Sequence, residues 1–437
     1  MQDHFYALAD VITQEMQGGE GFLARFSGES SDFVRFNRAA VRQAGKVEQR
    51  YLTLELFNGK RHASQTLSLS GDDASAIRTA VKMLRDVLAD TAEDPLFMIN
   101  TQPQSTERRL PADLATLEEA TDALLKAGAG HDMVGFYAAG PIHRGFASSF
   151  GQRNWDTAEA FNVDVSFYLH ADKAVKINHA GTHWDGAALT AKTDNAKVRL
   201  EALARPSKTI SPGNYRAYLA PAAVEELMGM MSWGGFGLSD HRTATTPLSK
   251  MVEQGVKLSS MVTLTENIKD GLSPGFQGQG FIKPASVTLI DKGVYKDCLA
   301  SPRSAAEFNE PQNGAEGYEA PVALDMAPGT LQPDDVLKTL GTGIYVGNLW
   351  YLNYSDRNAC RLTGMTRFAT FWVENGEIVA PLNVMRFDDT LYRMLGGNLA
   401  GLTATRDLLL STDTYEQRSA RSMRLPGAII DDFTMTL

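Results

Sequence analysis

Two stretches of the chain combine residue types and spacing that can do chemistry. The first is His179-Ala-Gly-Thr-His183-Trp-Asp185. Two imidazoles four residues apart, with a carboxylate beside them, can share a divalent metal only on a helical backbone, where positions i and i+4 lie on one face. Gly181 and Thr182 interrupt the pair, and the strand-like Val175 to Ile177 precedes it. The segment therefore reads as a turn with ordinary surface histidines. A metallohydrolase built on His179, His183 and Asp185 is the competing reading. The second stretch is PAAVEELMGMMSWGG, Pro221 to Gly235, an amphipathic helix signal directly after a Pro/Gly-rich break. It carries Glu225 and Glu226, yet neither His nor Cys occurs from Pro221 through Ser239.

Other constellations offer less. Cys298 and Cys360 form no CxxC pair and read as small packing residues, which fits a reducing compartment. No phosphate-binding GxxxxGK[ST], no GxSxG elbow and no HExxH helix occurs, and no nucleophile signature surrounds any serine. GFQGQGF, around Gly278, lacks the strand, fingerprint and helix of a dinucleotide site and reads as a mobile loop.

The 437 residues, 43% hydrophobic and 22% charged, describe a globular chain of two domains. The formal net charge of −10 argues against a nucleic-acid partner, which needs a basic face. The acidic, amide-rich start has no secretory pattern, and no window approaches the ~18 apolar residues of a membrane span. A cytoplasmic protein is expected.

The elements that would position these residues follow from periodicity. Phe5, Leu8, Ile12 and Met16 recur at helical spacing before Gly18-Gly19. FLARF, FVRFNRAAVRQ and VEQRYLTLELFNGKRHASQTLSL read as strands, with Asn58-Gly59 as a hairpin turn. Helices follow from Asp72 and over DLATLEEATDALLKAGAG; then come the strands MVGFYAAG, RGFASSFG and VDVSFYLHADKAVKI, and a helix from Ala187. This segregation predicts an α+β fold: an N-terminal helix-plus-antiparallel-sheet domain, residues 1–212, and a β-rich C-terminal domain, residues 213–437. In the second half, helices are expected at PAAVEELMGMM, PDDVLKTL and FDDTLYRMLGGNLAGL. SPRSAAEFNEPQNGAEGYEAP is expected to be a loop. Aromatics cluster in NLWYLNY and in MTRFATFWVENGE. There Arg367, Ala369 and Thr370 are the expected substrate-binding residues: the small side chains would admit a peptide backbone as an added strand, and Arg367 would meet its carboxylate or carbonyl.

Four blocks of the second half, YLAPAAVEELMGMM, FIKPASVTLIDKGVYKDCLASPRSAAEF, LDMAPGTLQPDDVLKTLGTGIYVGNL and FATFWVENGEIVAPL, resemble the TldD/PmbA (TldE) family, historically modulators of DNA gyrase. The resemblance implies a two-subunit peptidase. Its TldD-type chains carry His-Glu-x-x-x-His and a distal cysteine as a zinc site; its TldE-type chains lack them. Aligned on this sequence, the first His falls at Gly229, the Glu at Met230, the second His at Gly234 and the cysteine near Arg418, ahead of Leu425-Pro426. All four places are vacated. The resemblance thus implies a TldE/PmbA-like, metal-free and non-catalytic subunit, with zinc in a TldD-like partner and unfolded peptide as substrate. An independent homodimeric peptide-binding or scaffold protein of the same fold is the alternative.

Overall fold

The computed structural model describes residues 1–414 and 416–436, so Tyr415 and Leu437 lie outside the described residues. The N-terminal half runs α1 (Gln2–Glu15), β1 (Glu20–Asn37), β2 (Ala40–Asn58), β3 (Arg61–Ser68), α2 (Asp73–Asp90), β4 (Thr106–Arg109), α3 (Leu117–Gly128), β5 (Asp132–Ser148), β6 (Arg153–His170), β7 (Lys173–Gly181) and α4 (Gly186–Leu203). Local chemistry starts the helices: the Asp72 carboxylate accepts from Ser75 N at 3.2 Å, and Thr116 and Glu119 form a reciprocal capping box. The strands form a sheet in the order β3-β2-β1-β5-β6-β4, with β7 also on β6, antiparallel except for β4. α1 and α2 cover one part of it, over a core with Phe5, Phe26, Leu54 and Trp155.

The strands are longer than the sequence pattern predicts. FLARF and FVRFN are one strand, as are MVGFYAAG and RGFASS, because ladder pairing carries β1 and β5 past their glycines. At the β2–β3 hairpin the register places Asn58 opposite Arg61, so Gly59-Lys60, not Asn58-Gly59, is the turn; Gly59 has φ 59°.

The C-terminal half contains β8 (Gly213–Leu219), α5 (Pro221–Ser232), α6 (Leu238–Arg242), α7 (Ser249–Gln254), β9 (Leu264–Glu266), β10 (Val287–Asp291), β11 (Val294–Tyr295), α8 (Pro302–Phe308), β12 (Ala323–Met326), α9 (Val336–Leu340), β13 (Gly343–Asp356), β14 (Arg361–Glu374), β15 (Glu377–Pro381), β16 (Arg386–Thr390), β17 (Leu399–Leu410) and β18 (Ser422–Met435). Their sheet runs β11-β10-β9-β12-β18-β16-β14-β13-β8 and turns back on itself, because β8 pairs with both β13 and β18. The chain is thus α+β: helices on an antiparallel sheet, then a β-rich half.

Two expectations fail here. FDDTLYRMLGGNLAGL is not one helix: it is the strand β16, a single π-helical turn at Arg393–Gly397 and the start of β17. Its Leu391, Met394, Leu395, Leu399 and Leu402 are all buried, and a short apolar run of this kind satisfies either period. The expected loop from Ser301 holds α8, whose first turn is capped by the Ser301 hydroxyl accepting from Ser304 N at 3.2 Å.

α5 is the element that places the site. Pro221 occupies its first turn, where a missing N–H is harmless. Ala223, Val224, Leu227, Met228 and Met231 are fully buried in the C-terminal core against β13 and β18. A second core joins the halves: Phe161, Val165 and Leu200 pack with Tyr218, Tyr345, Phe371 and Ile429. Among the described residues no helix is long and apolar enough to cross a membrane.

Candidate functional site

With its apolar face committed, α5 turns Glu225, Glu226, Gly229 and Ser232 toward a cleft of about 620 Å³ between the two halves. Asp164 of β6 and Lys176 and Asn178 of β7 form the opposite wall; Leu409, Leu410 and Arg421 continue the lining. The wall neutralises itself. Lys176 Nζ lies 2.8 Å from Asp164 Oδ2, and Asn178 Nδ2 donates to the same oxygen at 2.8 Å. Glu225 and Glu226 have no hydrogen-bond or ion-pair partner among the described residues.

Their surroundings show in their acidity. Burial, and then the neighbouring Glu226 carboxylate, pushes Glu225 up to about 7. Glu226, an exposed residue, is raised as well by the protein around it, with the charge of Lys176 opposing. Ser232 is 8% exposed and its hydroxyl has no hydrogen-bond partner among the described residues. A buried hydroxyl left unpaired is unfavourable and marks a place where a ligand group can compensate it.

The positions expected at the vacated motif separate in space. Gly229 lies on the cleft floor, and a Cβ there would meet nothing within 4 Å. Met230 instead packs on the core and its carbonyl accepts from Tyr354 Oη at 2.6 Å. Gly234 is past the end of the helix, with φ 76°. A side chain there would collide with the Arg357 guanidinium and the Asp240 carboxylate. Arg357 is held by donating to Trp233 O at 2.9 Å and Thr245 O at 2.8 Å, over the rings of Trp233 and Tyr354. Nothing local in the sequence pointed to Arg357, which arrives from the turn after β13.

Arg418 does not reach this cleft. It crosses to the N-terminal sheet, donating to Ser31 Oγ at 3.0 Å, Gly140 O at 3.2 Å and Ala160 O at 2.9 Å, and its own backbone N–H donates to Glu29 Oε2 at 3.3 Å. A set of glycine, thioether and guanidinium contains no zinc donor in place of imidazole and thiolate, and Glu225 and Glu226 alone are fewer than the three protein ligands of a catalytic zinc. The zinc site of the resembling chains therefore does not fit these residues. No group of three His, Cys, Asp or Glu converges elsewhere among the described residues.

A sequence profile of the PmbA/TldA metallopeptidase C-terminal domain matches residues 212–437, just over half of the chain. The chain belongs to the TldD/PmbA family. Solved structures share the fold over its whole length. TldE from Thermococcus kodakarensis superimposes with a TM-score of 0.79 at 13% identity, covering 100% of both chains. A candidate modulator of a DNA gyrase from Thermotoga maritima gives 0.78 at 13%, covering 99% of this chain and 100% of its own. One from Bacteroides thetaiotaomicron gives 0.75 at 14%, covering 99% and 98%. At these identities the likeness shows the fold. No curated protein matches the chain.

Within this TldD/PmbA fold the remaining expected site residues change meaning. His179 is not on a surface turn. It lies in β7, 8% exposed, packed on Phe161 and Trp184, with Nε2 unpartnered. Burial, then the charge of Lys192, lowers its pKa. His183 is exposed and 3.1 Å from Asp113, while Asp185 caps α4 by accepting from Ala188 N at 2.9 Å. The three side chains have separate jobs and do not converge as a metal-holding group among the described residues.

Ala369 and Thr370 are 2% exposed in the middle of β14. Both edges of that strand are taken: Thr370 pairs with Val346 of β13, and its carbonyl accepts from Leu382 N at 2.9 Å. Thr370 therefore offers no free backbone edge to a peptide strand. Arg367 stacks over Trp350, 4.0 Å from the ring centroid, across a bulge made by Phe368 at φ 56°. The GFQGQGF loop is pinned rather than loose: Asn100 and Gln152 donate to Gly280 O at 3.0 and 2.8 Å, and Arg25 to Gly278 O at 3.2 Å.

Proposed function

We propose that the chain is a TldE/PmbA-like subunit without a catalytic metal of its own, which pairs with a zinc-bearing TldD-like subunit in the cytoplasm and helps it bind and process unfolded peptides. One observation supports this reading: the cleft on α5 is lined by carboxylates, but by no imidazole or thiol among the described residues. A metallopeptidase needs such donors to hold zinc and leave a coordination position open for water. Zinc chemistry is accordingly assigned to the partner, where it would generate the attacking hydroxide. This chain contributes the inter-sheet cleft as a surface for peptide. The substrate segment moves with this assignment from β14 to α5.

The test is reconstitution. The chain purified without chelators is expected to carry no stoichiometric zinc and to leave an unfolded peptide intact; mixed with a TldD-like chain bearing His-Glu-x-x-x-His, it is expected to form a complex that cleaves. One tightly bound zinc per isolated chain, lost on mutating His179 and His183, would overturn the reading. A stable self-dimer that never associates with the zinc-bearing chain would replace it with an independent peptide-binding protein.

A further inference from the structure

The cleft floor has a direction. Glu225 and Glu226 stand at one end of α5's exposed face, Gly229 lies one turn on, and Ser232 one turn further. From Glu225 to Ser232 the helix rises about 10 Å, the length of about three residues of extended peptide. The two ends offer different chemistry. At the first, no cation lies within ion-pair distance of the two carboxylates among the described residues: Lys176 across the cleft acts on them only through its field and is paired at 2.8 Å with Asp164. At the second, the Ser232 hydroxyl is buried and unpaired. Between them Gly229 leaves the floor open.

A divalent cation does not match this arrangement. No third carboxylate, imidazole or thiol converges with Glu225 and Glu226 among the described residues, which leaves them short of the three protein donors of a zinc site, and Ser232 is too far along the helix to join them. An ammonium group does match. It has three N–H donors and a full charge, needs no fixed coordination geometry, and gains charge-assisted hydrogen bonds that are about twice as strong as neutral ones. The chain attached to it can run over Gly229 and present a backbone N–H or C=O to Ser232.

We propose that this cleft binds a short extended stretch of peptide through a primary ammonium group, held by Glu225 and Glu226, with Ser232 meeting the peptide backbone about three residues along. The proposal deepens the reading of the cleft as a peptide surface and rests on it. It requires neither zinc nor the partner, so it is tested on the isolated chain.

The probes are three blocked tripeptides: trialanine amide with a free amino terminus, its N-acetylated form, and N-acetyl-Ala-Lys-Ala amide. Binding is measured at pH 8 by calorimetry and ligand-observed NMR. An ammonium-bearing peptide is expected to bind at least tenfold more tightly than the neutral one, and the better of the two names the source as the amino terminus or the lysine side chain. Glu225→Gln should remove about tenfold of that preference. Gly229→Leu, whose Cβ would meet no protein atom within 4 Å and which replaces a poor helix former, should abolish binding with the fold intact by circular dichroism. Equal binding of the neutral peptide, no binding of any of the three at millimolar concentration, or full binding by Gly229→Leu would overturn the proposal. A failure to associate with a TldD-like chain would leave all these outcomes unchanged, so the two readings fail separately.

Discussion

The guanidinium of Arg357 fills the space that any side chain at Gly234 would need. This one contact closes a position at which the resemblance to the TldD-type chains would put a histidine. Gly229, five residues earlier, has the opposite environment, open to the cleft. The two vacated positions therefore respond differently to refilling.

Gly229→His is expected to fold with wild-type stability, whereas Gly234→His is expected to be destabilised by about 1–3 kcal/mol through its positive φ and the clash with Arg357 and Asp240. Urea midpoints compare them directly. The triple variant with Met230→Glu should not gain stoichiometric zinc by elemental analysis. Zinc uptake at wild-type stability would show that Arg357 gives way.

Arg418 ties the segment ahead of β18 to the N-terminal sheet through buried hydrogen bonds from backbone and side chain. Arg418→Ala leaves the Gly140 and Ala160 carbonyls without this partner and opens a cavity, a loss of about 2–4 kcal/mol. The denaturant midpoint should fall accordingly. A shift below about 0.5 kcal/mol would mean that water replaces the guanidinium without loss.

Glu225 sets a pH dependence whose sign can be worked out. Its folded-state pKa, about 7, lies above the ordinary value of 4.5, so the native state holds the proton more tightly than the unfolded chain. That stabilisation is complete below about pH 4.5 and is lost as pH rises through 7. Glu226 on the same helix and Asp164 across the cleft favour the proton, while Lys176 opposes it. Glu225→Gln should flatten the stability profile over this range and be more stable than wild type at pH 8 by about 1–2 kcal/mol. A variant that tracks wild type from pH 5 to 8 would place the carboxylate in bulk water.

The cysteines should be inert in the native state. Burial pushes Cys360 up to about 12, and burial followed by the Asp297 carboxylate pushes Cys298 up to about 11. At pH 8 a disulfide reagent should label both only slowly, and both promptly in denaturant. Fast labelling of one thiol before unfolding would point to Cys298, the less buried of the two.

The parts of this protein that its sequence determined by itself are local. Caps at Asp72 and Thr116, the apolar face of α5 and the absence of His and Cys along Pro221–Ser239 are properties of neighbouring residues, and nearest-neighbour chemistry is enough to read them. The same holds for the α+β division, which follows from runs of period 2 and period 3.6. Tertiary structure alone decided the rest. Ladder partners carried β1 and β5 through their glycines. The core absorbed Leu391 to Leu402 as turn and strand, because burial there rewards apolar residues in either period. That Thr370 has no free edge became visible only once β13 and the chain around Leu382 had paired on either side of it. The cleft is made of α5, two strands from the other half of the chain and the segment before β18, and Arg357 reaches Gly234 from more than a hundred residues away. Spacing along a chain cannot encode which distant segments will meet, since that depends on how all the apolar faces are buried at once.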